Sequence, residues 1–118
     1  MRFALIVQSP PATSGAALAF AAAALAAGHE IVRVFFLREG TRCAQQGAAA
    51  ARWTQLAQSQ ALELSVCVSG AARRQLFDDV TVQAPLGAQP NIAPAFTIAG
   101  LGLLIDAITT ADRVVTFL

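Results

Sequence analysis

The fold is decided by residues 2–37, which read RFALIVQSPPATSGAALAFAAAALAAGHEIVRVFFL. Short apolar runs occupy residues 2–8 and 30–37, and an alanine-rich segment lies between them. Apolar runs of this length, bounded by Ser-Pro-Pro or by Gly-His, are typical of buried parallel strands. The alanine-rich segment predicts a helix that ends before Gly28. This strand–helix–strand order favours a parallel sheet with right-handed crossovers.

The rest of the chain continues the same alternation, and we treat residues 1–118 as one domain because domains commonly run to about 100–200 residues. The pattern predicts an α/β fold, namely a doubly wound, mostly parallel sheet of about five strands with helices on both faces. A loop rich in proline is expected at 84–94. The expected strands are 2–8, 30–37, 62–68, 96–98 and 112–118, and the expected helices are 14–27, 48–60, 70–77 and 101–110.

The amino-acid composition favours a protein partner over nucleic acid. Only 13% of the residues are charged and 56% are hydrophobic, so the chain is expected either to bury both faces of its sheet or to cover much of its surface with another subunit. The uncharged helix 14–27 is the expected strip for such a contact. The net charge is +1, and the eight basic residues are all arginines spread along the chain. Nucleic-acid binding needs a clustered basic surface, so this composition argues against it.

The first thirty residues imitate a secretory signal, because Arg2 precedes an apolar run and small residues follow. A signal peptide needs a continuous apolar centre, and residues 8–11 (Gln-Ser-Pro-Pro) interrupt it. The apolar run 16–27 is also too short to span a bilayer. We therefore expect a cytoplasmic protein without a membrane segment.

The two cysteines, Cys43 and Cys67, are not spaced as a CxxC pair, and with one histidine they cannot form a Cys/His zinc cage. A disulfide between them is possible by arithmetic, but a chain with this much apolar material does not need one. Reduced thiols in a cytosolic protein are the preferred interpretation. We expect no metal and no cofactor.

Cys67 is the candidate reactive residue. It ends the predicted strand 62–68, and open α/β sheets place their sites at the carboxyl ends of strands. The helix expected two or three residues later would favour a thiolate, and Arg73 and Arg74 would add positive charge. A thiolate is the nucleophile that sulfur transfer requires. The alternative, a buried structural cysteine, is a common fate for this residue and stays open.

Other polar groups give weaker signals. Cys43 follows a charged segment, so we expect an exposed, incidental thiol. His29 has no serine or aspartate partner that would make a triad, and a turn histidine is the simpler interpretation. The sequence Gly100-Leu101-Gly102 lacks the third glycine of a dinucleotide fingerprint. The pair Asp78-Asp79 is expected to be a solvated helix end.

Several stretches together resemble the DsrE/TusD family, in order and over nearly the whole chain. The resemblance implies a flavodoxin-like fold and a sulfurtransferase role, with a persulfide on Cys67 supported by Arg73 and Arg74. It also implies sulfur-carrier proteins as donor and acceptor, in tRNA 2-thiouridine formation or in sulfur oxidation, and homo- or hetero-oligomers such as trimers and hexamers with sister subunits. The stretches are RFALIV (2–7), GHEIVRVFFLREG (28–40), CVSGAARR (67–74), FTIAGLG (96–102) and ADRVVTFL (111–118).

Two departures from the family pattern concern loops near the expected site, where they bear on the partner and on activity. Residues 41–51 look shorter than in typical members, and residues 9–14 lack the usual aromatic residue. A third departure, Ser69-Gly70 in place of the more common alanines, should be tolerated.

Two other functions compete with the sulfur relay. A non-catalytic assembly subunit would keep the fold and leave the transfer to another chain, but the presence of Cys67 argues against it. A flavin or nucleotide binder would need a phosphate-binding loop after the first strand. Residues 9–13 (Ser-Pro-Pro-Ala-Thr) are poorly suited to that role, because the two prolines lack N–H groups.

Overall fold

A five-stranded sheet with helices on both faces forms the protein in a computed structural model that describes residues 1–74 and 91–118. Most of the predicted loop 84–94, the end of the predicted helix 70–77 and the pair Asp78-Asp79 lie outside the described residues. The strands are β1 (Arg2–Val7), β2 (Glu30–Phe36), β3 (Leu64–Cys67), β4 (Phe96–Ala99) and β5 (Arg113–Phe117). The helices are α1 (Gly15–Ala26), α2 (Ala48–Gln60), α3 (Val68–Arg73) and α4 (Leu101–Thr110), with 3-10 helices at Pro11–Thr13 and Arg38–Ala44.

The strands run parallel in the order β4-β3-β2-β1-β5. The chain steps outward from β1 to β4 and then returns along α4 to place β5 beside β1. Right-handed crossovers put the helices of the outward steps on one face and α4 on the other. The predicted α/β class, with a five-stranded parallel sheet and helices on both faces, is confirmed.

The sheet has two differently packed faces. On one face the large side chains of Val7, Val34 and Phe36 pack with Trp53 of α2 in the main core. The rings of Phe36 and Trp53 meet edge to face with centroids 5.2 Å apart. The other face carries a smaller cluster made by Phe35, Cys67 and Ala99, against which Leu37 and Leu104 pack. Cys67 therefore lies on the face that α4 covers.

Helix α1 packs through alanines, since Ala17, Ala21 and Ala24 are its buried residues. Small side chains bring its backbone close to the sheet and leave mostly alanine on its outer surface. Gly28 follows the helix in the left-handed region, with φ +88°, a conformation that glycine adopts without steric cost. The predicted helix stop at this glycine is confirmed.

The segment around β3 differs from the sequence prediction. The strand is shorter than the predicted 62–68, and α3 begins at Val68 rather than at residue 70. Cys67 still has extended backbone (φ −62°, ψ 124°) and forms the N-cap of α3, so strand and helix follow each other without a loop. The early start brings Gly70 against Thr41, where a Cβ would lie 3.0 Å from the Thr41 Cγ2 atom.

Within the described ranges, no helix combines the length and the apolar character that crossing a membrane requires.

Candidate functional site

Cys67 stands at the carboxyl edge of the sheet, as predicted, where β3 passes into α3. It is paired in register with Ala99 of β4, and its residue surface is only 6% exposed. Phe35 packs beside it from β2. The cysteine is therefore held among three strands and is almost completely buried.

An open cavity of about 510 Å³ lies over Cys67. One wall is the end of β2 with the start of the 3-10 helix Arg38–Ala44, and the other is α3. In the part of the chain that the structure describes, three arginines and one glutamate line this cavity, so these charged side chains carry a formal excess of positive charge. The lining residues are Leu37, Arg38, Glu39, Cys67, Ser69, Gly70, Arg73 and Arg74.

The hydroxyl of Ser69 is a direct polar neighbour of the Cys67 sulfur. Its Oγ atom lies 3.3 Å from the Cys67 Sγ atom, at hydrogen-bonding distance for sulfur. The hydroxyl can donate to a sulfur anion, and either atom can donate while the thiol is protonated. Ser69 is itself exposed, so this contact stays open to the cavity.

Arg74 is fixed by an ion pair across the cavity wall. Its Nε atom donates to Glu39 Oε2 at 2.6 Å, and its guanidinium also donates to the carbonyl oxygen of Gly70 at 3.1 Å. Glu39 accepts a second bond from Arg42 Nε at 3.0 Å. The hydrogen bond from Arg74, followed by that from Arg42, holds the pKa of Glu39 below its usual value of 4.5. The cluster ties α3 to the segment that follows β2.

The two predicted supporting arginines therefore differ in their contacts. Both line the cavity with Cys67, as the sequence predicted. Arg74 is partly buried and bonded to Glu39, whereas Arg73 is exposed at the end of α3. Within residues 1–74 and 91–118, neither arginine forms a hydrogen bond with the Cys67 sulfur. Their effect on that sulfur would be electrostatic rather than through contact.

Arg38 adds a cation that the sequence analysis did not single out. Its backbone lies in the left-handed region, with φ +52°, which costs a residue with a side chain about 1–3 kcal/mol. The buried hydroxyl of Thr41 donates to the Arg38 carbonyl oxygen at 2.7 Å and braces this turn. The strained turn places an exposed arginine at the cavity, directly after β2.

The backbone of Gly40, in the 3-10 helix Arg38–Ala44, lies directly against the backbone of Val7 at the end of β1. A Cβ atom at Gly40 would overlap the carbonyl oxygen of Val7, so only glycine fits there. The Val7 carbonyl also accepts a hydrogen bond from Leu37 N at 2.9 Å. The absence of a side chain at residue 40 thus allows the 3-10 helix to sit against the end of β1.

The prediction of an exposed Cys43 is wrong. Its residue exposure is 0%, because the 3-10 helix folds inward over the ends of β1 and β2. The thiol donates to the carbonyl oxygen of Ser9 at 3.7 Å. Burial raises the pKa of the Cys43 thiol above its usual value of 9.0, with a smaller opposing effect from a hydrogen bond with Ser14. Cys43 is a neutral, enclosed residue, and the two thiols form no disulfide.

Two other residues, which the sequence analysis did not assign to the site, lie away from it. His29 follows the turn after α1, and its Nδ1 atom lies 3.4 Å from the N-terminal amino group, at the end of the sheet where β1 and β2 begin. Gly100 is the N-cap of α4 with φ −84°, an ordinary value for any residue. Neither belongs to the cavity over Cys67.

Sequence reasoning missed Arg38, Glu39 and Ser69. Arg38 and Glu39 belong to the charged segment before Cys43 and were not singled out, because their contacts depend on α3, some thirty residues later. Ser69 carried a usable signal, since a hydroxyl two residues beyond a cysteine at a strand–helix junction can turn back toward it.

Comparison with known proteins gives consistent results. A family model described as the DsrE/DsrF-like family matches residues 1–117. Sulfurtransferase TusD of Yersinia pestis (strain Pestoides F) is 38% identical over 128 aligned positions, which cover 99% of this chain and 98% of the relative. Sulfurtransferase TusD of Yersinia pseudotuberculosis serotype O:1b matches to the same extent. The crystal structure of the ychN protein from E. coli has the same fold, with a TM-score of 0.72, 18% identity and coverage of 99% of this chain and 100% of that one.

Proposed function

The chain belongs to the DsrE/DsrF-like family, and on that premise we propose that it is a sulfurtransferase in which Cys67 carries a persulfide. The observation that carries the proposal is the different placement of the two cysteines. Cys67 lines an open cavity with arginines, whereas Cys43 is fully buried. A sulfur carrier needs a thiol that a partner can reach, and Cys67 meets that need.

The chemistry is an exchange between sulfur atoms. The Cys67 thiolate attacks the outer sulfur of a donor persulfide, the donor's S–S bond breaks, and the donor leaves as a thiolate while Cys67 gains the outer sulfur. An acceptor thiolate then attacks that outer sulfur and restores the Cys67 thiolate. No external oxidant or reductant is consumed. The Ser69 hydroxyl can donate a hydrogen bond to the sulfur anion, and the arginines of the cavity place positive charge around it.

The partners in this proposal are sulfur-carrier proteins that donate and accept the sulfur. The identity to relatives named TusD favours tRNA 2-thiouridine formation over sulfur oxidation as the pathway. Two cysteines without a disulfide fit a reducing compartment, so we place the protein in the cytoplasm.

We further propose that the chain works as an oligomer through α4. The patch formed by Leu101, Leu103, Ile105 and Ile108, called the α4 patch below, leaves four large aliphatic side chains exposed on a ten-residue helix. Ile105 is 61% exposed. The outer surface of α1, which the sequence analysis favoured as the contact strip, presents mainly alanine. Exposed clusters of large apolar residues favour protein–protein contact more strongly than alanine does.

Delivery of sulfur from the loaded protein tests the function. The protein is treated with sodium polysulfide, desalted, and given cyanide, which accepts the outer sulfur of a persulfide as thiocyanate. We expect about one thiocyanate per chain from the native protein and from Cys43→Ala, and none from Cys67→Ser. Equal thiocyanate from Cys67→Ser would contradict the proposal.

A further inference from the structure

We infer that the cavity over Cys67 selects sulfur donors by their negative charge and that, besides the carrier proteins proposed above, it accepts sulfur from low-molecular-weight persulfides that carry carboxylates. The inference rests on the proposed function of Cys67 and deepens it by naming a class of donor. It comes from the charge, backbone geometry and volume of the cavity rather than from the cysteine alone.

The ion pairs around the cavity involve Glu39, Arg74 and Arg42, whereas Arg38 and Arg73 are exposed to an entering ligand. Among the lining residues that the structure describes, Glu39 is the anion, and its carboxylate is paired with Arg74 at 2.6 Å and with Arg42 at 3.0 Å. Arg38 and Arg73 are exposed, and they line the same cavity. An anionic group that enters beside Cys67 therefore meets guanidinium groups, while Glu39, the carboxylate among the lining residues of 1–74 and 91–118, is already paired.

The backbone of Arg38 points to a role for its side chain. A left-handed residue with φ +52° would be less strained as glycine or asparagine, and yet an arginine stands there. Strain of this kind is concentrated at ligand sites, where the surrounding structure holds it. Here the brace is the Thr41 hydroxyl, which donates to the Arg38 carbonyl oxygen at 2.7 Å.

The size of the cavity fits more than the sulfur atom itself. Small-molecule sites commonly enclose about 300–1,000 Å³, and this cavity of about 510 Å³ falls within that range. A persulfide of a tripeptide-sized thiol would place its outer sulfur at Cys67 and its carboxylates toward Arg38 and Arg73. The volume leaves room for the body of such a donor.

The transfer step is balanced without further reactants. The Cys67 thiolate forms a bond with the outer sulfur of the donor, and the donor's S–S bond breaks. Its electron pair leaves with the carboxylate-bearing thiolate, and the proton of the outer sulfur stays with that sulfur on Cys67. The guanidinium groups hold the donor's carboxylates and do not take part in bond making.

Two small persulfides of opposite charge test the inference. Glutathione persulfide carries two carboxylates, and cysteamine persulfide carries an ammonium group and no carboxylate. The rate of sulfur gain at Cys67 is followed by mass spectrometry for each donor, and the ratio of the two rate constants is compared between variants. A ratio is insensitive to the fraction of protein that is folded.

The variant is Arg38→Asn, because asparagine tolerates the left-handed backbone. Its matched control is Arg52→Asn, which removes one exposed arginine from α2, outside this cavity. We expect the native ratio to favour glutathione persulfide. We expect Arg38→Asn to lower it about two- to fivefold, the size of one exposed ion pair. Arg52→Asn should leave the ratio unchanged, and added salt should lower the native ratio.

An unchanged ratio in Arg38→Asn, or a native ratio that favours cysteamine persulfide, would overturn the inference. In either case, sulfur on Cys67 would leave the proposed function standing. If Cys67 gained sulfur from neither donor and not from polysulfide, the proposed function itself would fail, and the inference with it.

Discussion

The hydroxyl oxygen of Ser69 lies 3.3 Å from the Cys67 sulfur, across the junction where β3 becomes α3. The contact depends on the absence of a loop between strand and helix, since the helix starts at Val68 and turns residue 69 back toward the cysteine. A sulfur anion at Cys67 thus has a hydrogen-bond donor beside it before any partner arrives.

Replacing Ser69 with alanine should slow the reaction of Cys67 with iodoacetamide at neutral pH. A hydrogen bond of this kind contributes about 0.5–1.5 kcal/mol, so we expect a rate about two- to tenfold lower. The rate is measured on the peptide that contains Cys67. Ser59→Ala serves as the control, because the Ser59 hydroxyl donates to the Leu56 carbonyl oxygen on α2. Equal rates for Ser69→Ala and the control would show that the hydroxyl does not act on the sulfur.

The Glu39–Arg74 pair should give the protein a stability that depends on pH. The pKa of Glu39 is lowered, first by the hydrogen bond from Arg74 and then by that from Arg42, so the folded state favours the ionised carboxylate. Its contribution is fully present above pH 4.5, the usual value, and is lost as pH falls through the lowered pKa.

Thermal unfolding of the native protein and of Glu39→Gln measures this effect. The difference in Tm between the two should be largest at neutral pH and should shrink below about pH 4.5. Glu30→Gln, at an exposed residue of β2, provides a control with no such trend. A difference that stays constant from neutral to acid pH would rule out the ion pair as its source.

The substitution Gly40→Ala should destabilise the protein and should also disturb the cavity over Cys67. The added Cβ would overlap the Val7 carbonyl oxygen, and backbone atoms on both sides must move. We expect a loss at or above the upper end of the roughly 1–3 kcal/mol typical of overpacking. Gly102→Ala is the matched change, because a Cβ there meets nothing within 4 Å and lies in α4.

Chemical denaturation gives both free energies of unfolding. Gly102→Ala should be neutral or stabilising by up to about 1 kcal/mol, since alanine is the better helix former. If Gly40→Ala unfolded at the same denaturant concentration as the native protein, the close approach of the 3-10 helix to β1 would be incorrect.

Aspartate at residue 105 should break the proposed oligomer. The charge would fall in the middle of the α4 patch, where Ile105 is 61% exposed. Light scattering after gel filtration should show the native protein above 12.2 kDa and Ile105→Asp at that mass. Ala23→Asp, on the exposed side of α1, should keep the native size.

A native protein that stays monomeric at micromolar concentration would contradict self-association. If Ala23→Asp were monomeric and Ile105→Asp kept the native size, the interface would lie on α1 rather than on the α4 patch.

Much of the fold could be predicted because its signals are local. The apolar runs of β1 and β2, the glycine after α1 and the periodic pattern of α2 each report on neighbouring residues, and helix 48–60 matches its predicted bounds. The position of Cys67 was predicted by the same reasoning, since a cysteine that ends a buried strand lies at the sheet's carboxyl edge.

The remaining features depend on contacts between distant segments. Cys43 looked exposed because charged residues surround it in sequence, yet the glycine at residue 40 lets its segment fold against Val7. Glu39 accepts a hydrogen bond from Arg74, thirty-five residues later in the chain, and this ion pair joins the two segments that line the cavity. Neither contact leaves a periodic pattern in the sequence.

The most direct test of the account is to locate the sulfur that the protein accepts. The native protein, Cys67→Ser and Cys43→Ala are each treated with sodium polysulfide, and their peptides are analysed by mass spectrometry. The account predicts one added sulfur atom on the Cys67 peptide of the native protein and of Cys43→Ala, and none on the Cys43 peptide of Cys67→Ser. Sulfur on Cys43 in Cys67→Ser at the native level, or no sulfur on Cys67, would contradict it.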